Sequence, residues 1–149
     1  MLIFDAIYES IEFAEERTMP LTYTDVQRRA YLTLTDTVGL HWVEMFEGDT
    51  EFYSAAYWDL LTALWRTDKP VRKTDAARML TGVKSPLTAA KHIDTALARG
   101  LIVERDNPTD ARSKLLALTP QMRSQLDQFF DDAVDAVLKT ADRVRKSEN

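Results

Sequence analysis

Apolar residues recur every three or four positions along much of this chain, separated by short polar breaks. Leu2, Ile3, Ala6, Ile7, Phe13 and Ala14 form a broad stripe, and their spacing predicts a first helix of about four turns. The stretch MPLTYTDV interrupts it. Thr24 followed three residues later by Gln27 is a capping-box pattern, and Val26, Ala30, Leu34, Val38, Trp42 and Met45 recur at helical spacing. A long second helix is therefore expected from about Asp25 to Glu47, weakened locally by Gly39. The EGDT turn then leads into a third helix around Glu51 to Arg66, which ends before TDKPV.

Beyond that point the expected elements shorten. Thr74 or Asp75 is suited to cap a helix of about two turns, TDAARMLT, which Gly82 would close. Ser85 is a good N-cap and Pro86 suits the first helical position, so another helix is expected from Pro86 to Arg99, stopped by Gly100. Its inward face would be Ala89, Ile93, Ala96 and Leu97. A hairpin follows, with Leu101 and Val103 on one strand, Leu116 and Leu118 on the other, and Asn107-Pro108 as the turn signal. Thr119-Pro120 opens a last helix, whose apolar stripe runs from Met122 to Val144. Such a long stripe at the edge of a small domain asks for cover, and a second copy of the chain supplies it economically, as for the amphipathic first helix.

Composition narrows the function. The 149 residues, 45% of them apolar, suffice for one domain with a real core. With no cysteine there is no disulfide, thiolate metal site, cysteine nucleophile or thiol redox sensor, and the chain is expected in the cytoplasm. The acidic residues Asp5, Glu9, Glu12, Glu15 and Glu16 argue against a signal peptide, and no apolar run is long enough to span a bilayer. The chain lacks a phosphate-cradling glycine loop, a nucleophile elbow and the histidine-carboxylate sets of hydrolases, so an enzyme is not expected. His41 and His92 are the only histidines, and neither a metal nor a cofactor site is expected.

The net charge of −5 conceals an asymmetry. From Arg66 to Lys114 there are 11 Lys+Arg against 6 Asp+Glu, a local +5, while the remainder carries −10. A local positive potential can steer a polyanion whatever the total charge. The basic segment coincides with a short helix, a turn, a second helix and a hairpin, the layout of a winged helix-turn-helix, whose second helix enters the major groove while the hairpin reaches backbone or minor groove. Double-stranded DNA is the expected partner. Candidate contacts are Arg72 and Lys73 ahead of the first short helix, Lys84, Ser85, Thr88, Lys91 and His92 on the second, and Arg105, Asp110, Arg112 and Lys114 on the hairpin.

The segment ALARGLIVERDNPTDARSKLLALTP resembles the wing of the MarR family of bacterial transcription regulators: Gly100-Leu101, Arg105, Asp110-Ala111-Arg112 and Leu118-Thr119 match the family pattern in order and spacing. The similarity covers roughly residues 60–126. It departs at Ala89 and Ala90, where polar residues are common, and at His92, where an apolar one is common. The resemblance implies a mostly α fold with a small β-hairpin wing, a DNA-binding lobe over residues 55–119, and a homodimer built by residues 1–47 and 120–146. It also implies that Arg112 reaches the minor groove, with Asp110 bracing the loop, and that a small aromatic or phenolic compound releases the DNA. For that effector the candidate residues are Tyr23, Arg28, His41, Trp42, Tyr53 and Tyr57, although aromatic stripes on helices are usually packing. A rival reading is a winged helix serving as a protein-interaction adaptor. Such an adaptor should carry apolar or acidic residues where Lys84, Thr88 and Lys91 stand, so the sequence favours DNA.

Overall fold

Both halves of the Thr24 capping box form in the computed structural model, which describes residues 20–147. Thr24 Oγ1 accepts from the Gln27 amide at 3.3 Å, and Gln27 Oε1 accepts from the Thr24 amide at 2.9 Å. They start helix α1, Asp25–Met45. The expected helix over residues 2–14 lies outside the described residues. Gln27 is buried and donates through Nε2 to the Val144 carbonyl, joining the start of α1 to the end of the last helix. At the other end Glu47 adopts φ 57°, and the Gly48 amide reaches back to the Val43 carbonyl at 3.0 Å. That is the six-to-one bond of a Schellman stop. It ends α1 two residues before the expected boundary.

The single helix expected over residues 51–66 divides in two. A 3-10 turn, Thr50–Phe52, is capped by Asp49, and helix α2, Ala55–Arg66, is capped by Ser54, which accepts from the Tyr57 amide at 3.5 Å. Two N-caps five residues apart impose the break, and Phe52 between them is fully buried. Strand β1, Val71–Arg72, was not anticipated, because two residues carry no periodicity. Helix α3, Lys73–Met79, starts earlier than the Thr74 or Asp75 cap would place it; Asp75 lies in its first turn and takes the Arg72 side chain. Gly82, at φ 75°, shapes the turn after α3 rather than capping the helix.

Helix α4, Pro86–Ala98, is capped by Ser85 as expected. Ala89, Ile93 and Ala96 are buried and Leu97 partly so. Strands β2, Ile102–Asp106, and β3, Lys114–Leu118, pair antiparallel with Ile102 opposite Leu118 and Glu104 opposite Leu116, giving a sheet ordered β1-β3-β2. The phase of β2 differs from expectation: Ile102 faces the core, while Leu101 and Val103 are half-buried. Three consecutive apolar residues fit either phase of a two-residue repeat, and the pairing to β3 decides between them.

Helix α5, Pro120–Lys146, begins at Thr119, whose Oγ1 accepts from the Met122 amide at 3.2 Å. Met122, Leu126 and Phe129 join the buried core with Leu60, Leu61, Ile93 and Leu116. Farther along, Val134, Val137 and Leu138 are exposed, and so are Val26, Tyr31 and Leu32 on α1, which packs against α5.

Candidate nucleic-acid interface

The turn between α3 and α4 delivers Lys84 and Ser85 to the start of α4. Ser85 Oγ accepts from the Thr88 amide at 3.1 Å and lies 2.9 Å from Thr88 Oγ1, so the two side chains fix one another at the helix entrance. Lys84, Leu87, Thr88 and Lys91 are exposed on the side opposite the buried Ala89 and Ile93. The departure at Ala89 therefore falls on the core face. His92 is half-buried, with its ring edge-to-face against Tyr57 at 5.0 Å, a packing position at the flank of the exposed face.

The candidate cations divide by pairing. Arg72 Nε bonds Asp75 at 2.8 Å, and Lys73 bridges Glu104 at 3.1 Å and Asp94 at 3.7 Å. Lys114 pairs with Asp106 across the hairpin; this contact holds the Asp106 carboxyl below its usual range and raises the Lys114 ammonium. Lys84, Lys91, Arg105 and Arg112 make no ion pair among the described residues. Arg105 sits apart from the others. Adjacent residues of a strand point to opposite sheet faces, so it lies on the side away from Glu104, in a groove of about 300 Å³ with Lys69 and Arg123.

The wing tip, residues 107–113, is two successive turns. Asn107 Oδ1 accepts from the Thr109 amide at 3.1 Å, and the Asp110 amide donates to the Asn107 carbonyl at 3.3 Å. Asp110 Oδ1 then accepts from the Arg112 amide at 3.1 Å, while the Ser113 amide donates to the Asp110 carbonyl. Asp110 thus braces the loop through the backbone of Arg112, and the Arg112 side chain stays exposed.

The six effector candidates are dispersed. Trp42 and Tyr53 line a cavity of about 370 Å³ between α1, the start of α2 and α5, together with Val38, Gly39, Trp58 and Phe129. Gly39 matters there, since a Cβ at this position would stand 3.0 Å from the Tyr53 hydroxyl. Tyr23 and Arg28 line a different, largely apolar groove of about 790 Å³ between α1 and the end of α5, and Arg28 is tied to Asp25 at 2.7 Å. His41 faces a third groove with Asp132, Asp135 and Lys139. Tyr57 is buried against Phe52, and burial raises its phenol above the ordinary value. Gly39 and Phe129 were not among the candidates. Gly39 carries only a helix-weakening signal in the sequence, and Phe129 reads as one more position on an apolar stripe.

The same arrangement of elements occurs in solved structures. A transcriptional regulator of Thermotoga maritima superposes with a TM-score of 0.56 at 17% identity, over 84% of this chain and 86% of that one. A MarR-like transcription regulator of Bacillus cereus gives 0.51 at 18% identity, over 76% of each chain. The fold is that of the MarR-type regulators. A mutant MarR of Escherichia coli, complexed with operator DNA, matches at 0.50 and 16% identity over 80% of this chain and 83% of that one. No protein-family model matches the chain and no curated protein matches it in sequence, so the likeness to MarR is one of fold. On this MarR-like frame α3 and α4 are the helix-turn-helix and β2 and β3 the wing, with α1 before them in the chain and α5 after. Among the described residues no helix is long and apolar enough to cross a membrane, and no cluster of acidic or histidine side chains is placed to hold a metal ion.

Proposed function

We propose that the chain is a DNA-binding transcription regulator that acts as a homodimer on a pseudo-palindromic duplex. Residues 55–119 form the DNA-binding lobe, and residues 1–47 and 120–146 build the dimer. The observation that carries this reading is the exposure of Lys84 and Lys91 about α4, and of Arg112 on the wing, without carboxylate partners among the described residues. Five of the other eight cations of this basic segment, Arg72, Lys73, Arg78, Arg99 and Lys114, are spent on internal ion pairs, and Arg105 is turned into a groove on the other side of the sheet. In the first turn of α4 Pro86 has no N–H and Ser85 takes the Thr88 amide, so the Leu87 amide is the one left to meet a phosphate. The Arg112 guanidinium is carried on a doubly hydrogen-bonded loop, which suits insertion into a narrow, electronegative minor groove.

The cavity lined by Trp42, Tyr53 and Trp58 supports a second part of the reading, release of DNA by a small aromatic compound. It lies where α1 and α5 meet α2 of the lobe, so an occupant would bear on how the lobe is held.

Selection of bound duplexes from a random pool, followed by fluorescence anisotropy, tests the proposal. The wild type should enrich a sequence with half-sites about one helical turn apart. Arg112→Ala should weaken binding by roughly tenfold at low salt and by less as salt rises. A pool that shows no enrichment at moderate salt would count against the regulator, and equal affinity of the Arg112 variant would remove the wing assignment alone.

A further inference from the structure

The turn that leads into α4 and the C-terminal end of α4 are each tied to an aspartate outside the helix-turn-helix. At the entrance, Asp59 on α2 accepts from the Thr81 amide at 2.8 Å and also from the Thr81 hydroxyl. Thr81 lies in the turn that, through Gly82 at φ 75°, leads to Lys84 and Ser85. At the exit, Arg99 donates to Asp49 at 2.9 Å, and its guanidinium stands 4.8 Å above the Phe52 ring. Asp49 is itself fixed, since its carboxylate also accepts from the Glu51 amide.

We infer that Asp59 and Asp49 are positioning residues that clamp the recognition helix α4, the first through the turn before it and the second through its C-terminal end, and so set the protein's discrimination between its own duplex and random DNA. This rests on the DNA-binding reading above. Two ties reach across the sequence, from residue 59 to 81 and from 49 to 99, and join the turn before α4 and the end of α4 to α2 and the turn that precedes it. Base-edge contacts tolerate little displacement of the helix that presents them, whereas phosphate attraction tolerates much. A helix held at one end can still pivot. Held at both, it presents Thr88 and Lys91 in one orientation. Asp59 directly follows Trp58, a wall of the aromatic cavity, so the residue that holds the turn is adjacent to one that an occupant would touch.

Charge gives the test a sign. Asp59→Ala removes a negative charge from a DNA-binding lobe, and electrostatics alone would tighten its binding to every duplex. The clamp demands the opposite for the selected duplex. Anisotropy on selected and random duplexes at several salt concentrations should show the selected affinity of Asp59→Ala, which removes the oxygen that accepts both Thr81 bonds, and of Asp49→Asn falling about tenfold, the size expected for a lost charge-assisted hydrogen bond. Random-duplex affinity and the salt slope should stay at wild-type values or rise slightly. Thr81→Val should reproduce part of the loss without any change of charge, and Thr81→Ser, which keeps the hydroxyl, should restore it. Should Asp59→Ala fail to fold, the Thr81 pair decides the question by itself. Selected and random affinities that move together, or a Thr81→Val variant that discriminates like the wild type, would overturn the clamp. If the wild type selects no duplex, the DNA-binding reading fails first and takes the clamp with it; if the wild type discriminates and the variants match it, only the clamp is lost.

Discussion

At the scale of single residues, what a charged side chain can do here is set by its partner. Lys114 and Arg112 stand two residues apart in the wing, yet Lys114 is held by Asp106 while Arg112 has only its amide engaged. The contact that lowers the Asp49 carboxyl is of the same kind: first the Glu51 amide, then the Arg99 side chain, hydrogen-bond to its ionised form. A carboxyl whose folded pKa lies below its unfolded value contributes stability that is present above the unfolded value and is lost as pH falls through the folded one. The stability difference between wild type and Asp49→Asn should therefore be constant near neutral pH and shrink below the ordinary carboxylate range. Urea melts at neutral pH and at about pH 3 would read it, and a difference that grows on acidification would contradict this assignment.

At the scale of elements, boundaries follow from caps. Thr24, Ser54, Ser85 and Thr119 each accept from the amide three residues on, and each opens a helix. Of these, Ser85 combines a structural and a functional position, since it fixes both the first turn of α4 and Thr88 on its exposed face. Ser85→Ala should cost about 1 kcal/mol of stability in thermal or chemical unfolding. Loss of the side-chain bond to Thr88 should weaken binding to the selected duplex more than that to random DNA. A variant that melts like the wild type would mean that Pro86 and the packed face of α4 start the helix without the cap.

At the scale of the whole molecule, α1 and α5 pack together and leave Val26, Tyr31, Leu32, Val134, Val137 and Leu138 exposed, with Tyr31, Leu32 and Val137 lining one largely apolar groove between them. An apolar groove left open in this way marks an interaction site, and a second copy of the chain is the occupant proposed for it. Sedimentation of the full chain should give about twice the 17.1 kDa chain mass. Val137→Asp combined with Leu138→Asp should return it to a single chain while leaving the lobe folded. A wild type that sediments as one chain would remove the dimer, and with it the expected symmetry of the DNA site.

The caps at Thr24, Ser85 and Thr119 and the order of the main helices and hairpin were legible in the sequence because each cap depends on residues three apart, whereas the caps at Asp49 and Ser54 that divide the third helix were not. Such interactions form wherever the local sequence allows them, and little else in the chain can redirect them. The winged helix-turn-helix follows from their order. Which cations are free did not follow. Lys73 finds Glu104 across 31 positions and Thr81 finds Asp59 across 22, and only the packing of α2, α3 and the sheet brings those groups together. The same holds for Trp42 and Tyr53, which share a cavity with Phe129, while Tyr23, His41 and Tyr57 face elsewhere. An aromatic or a lysine has one sequence signature whether it packs, pairs or stays open, and its role is decided by neighbours that only the tertiary structure supplies.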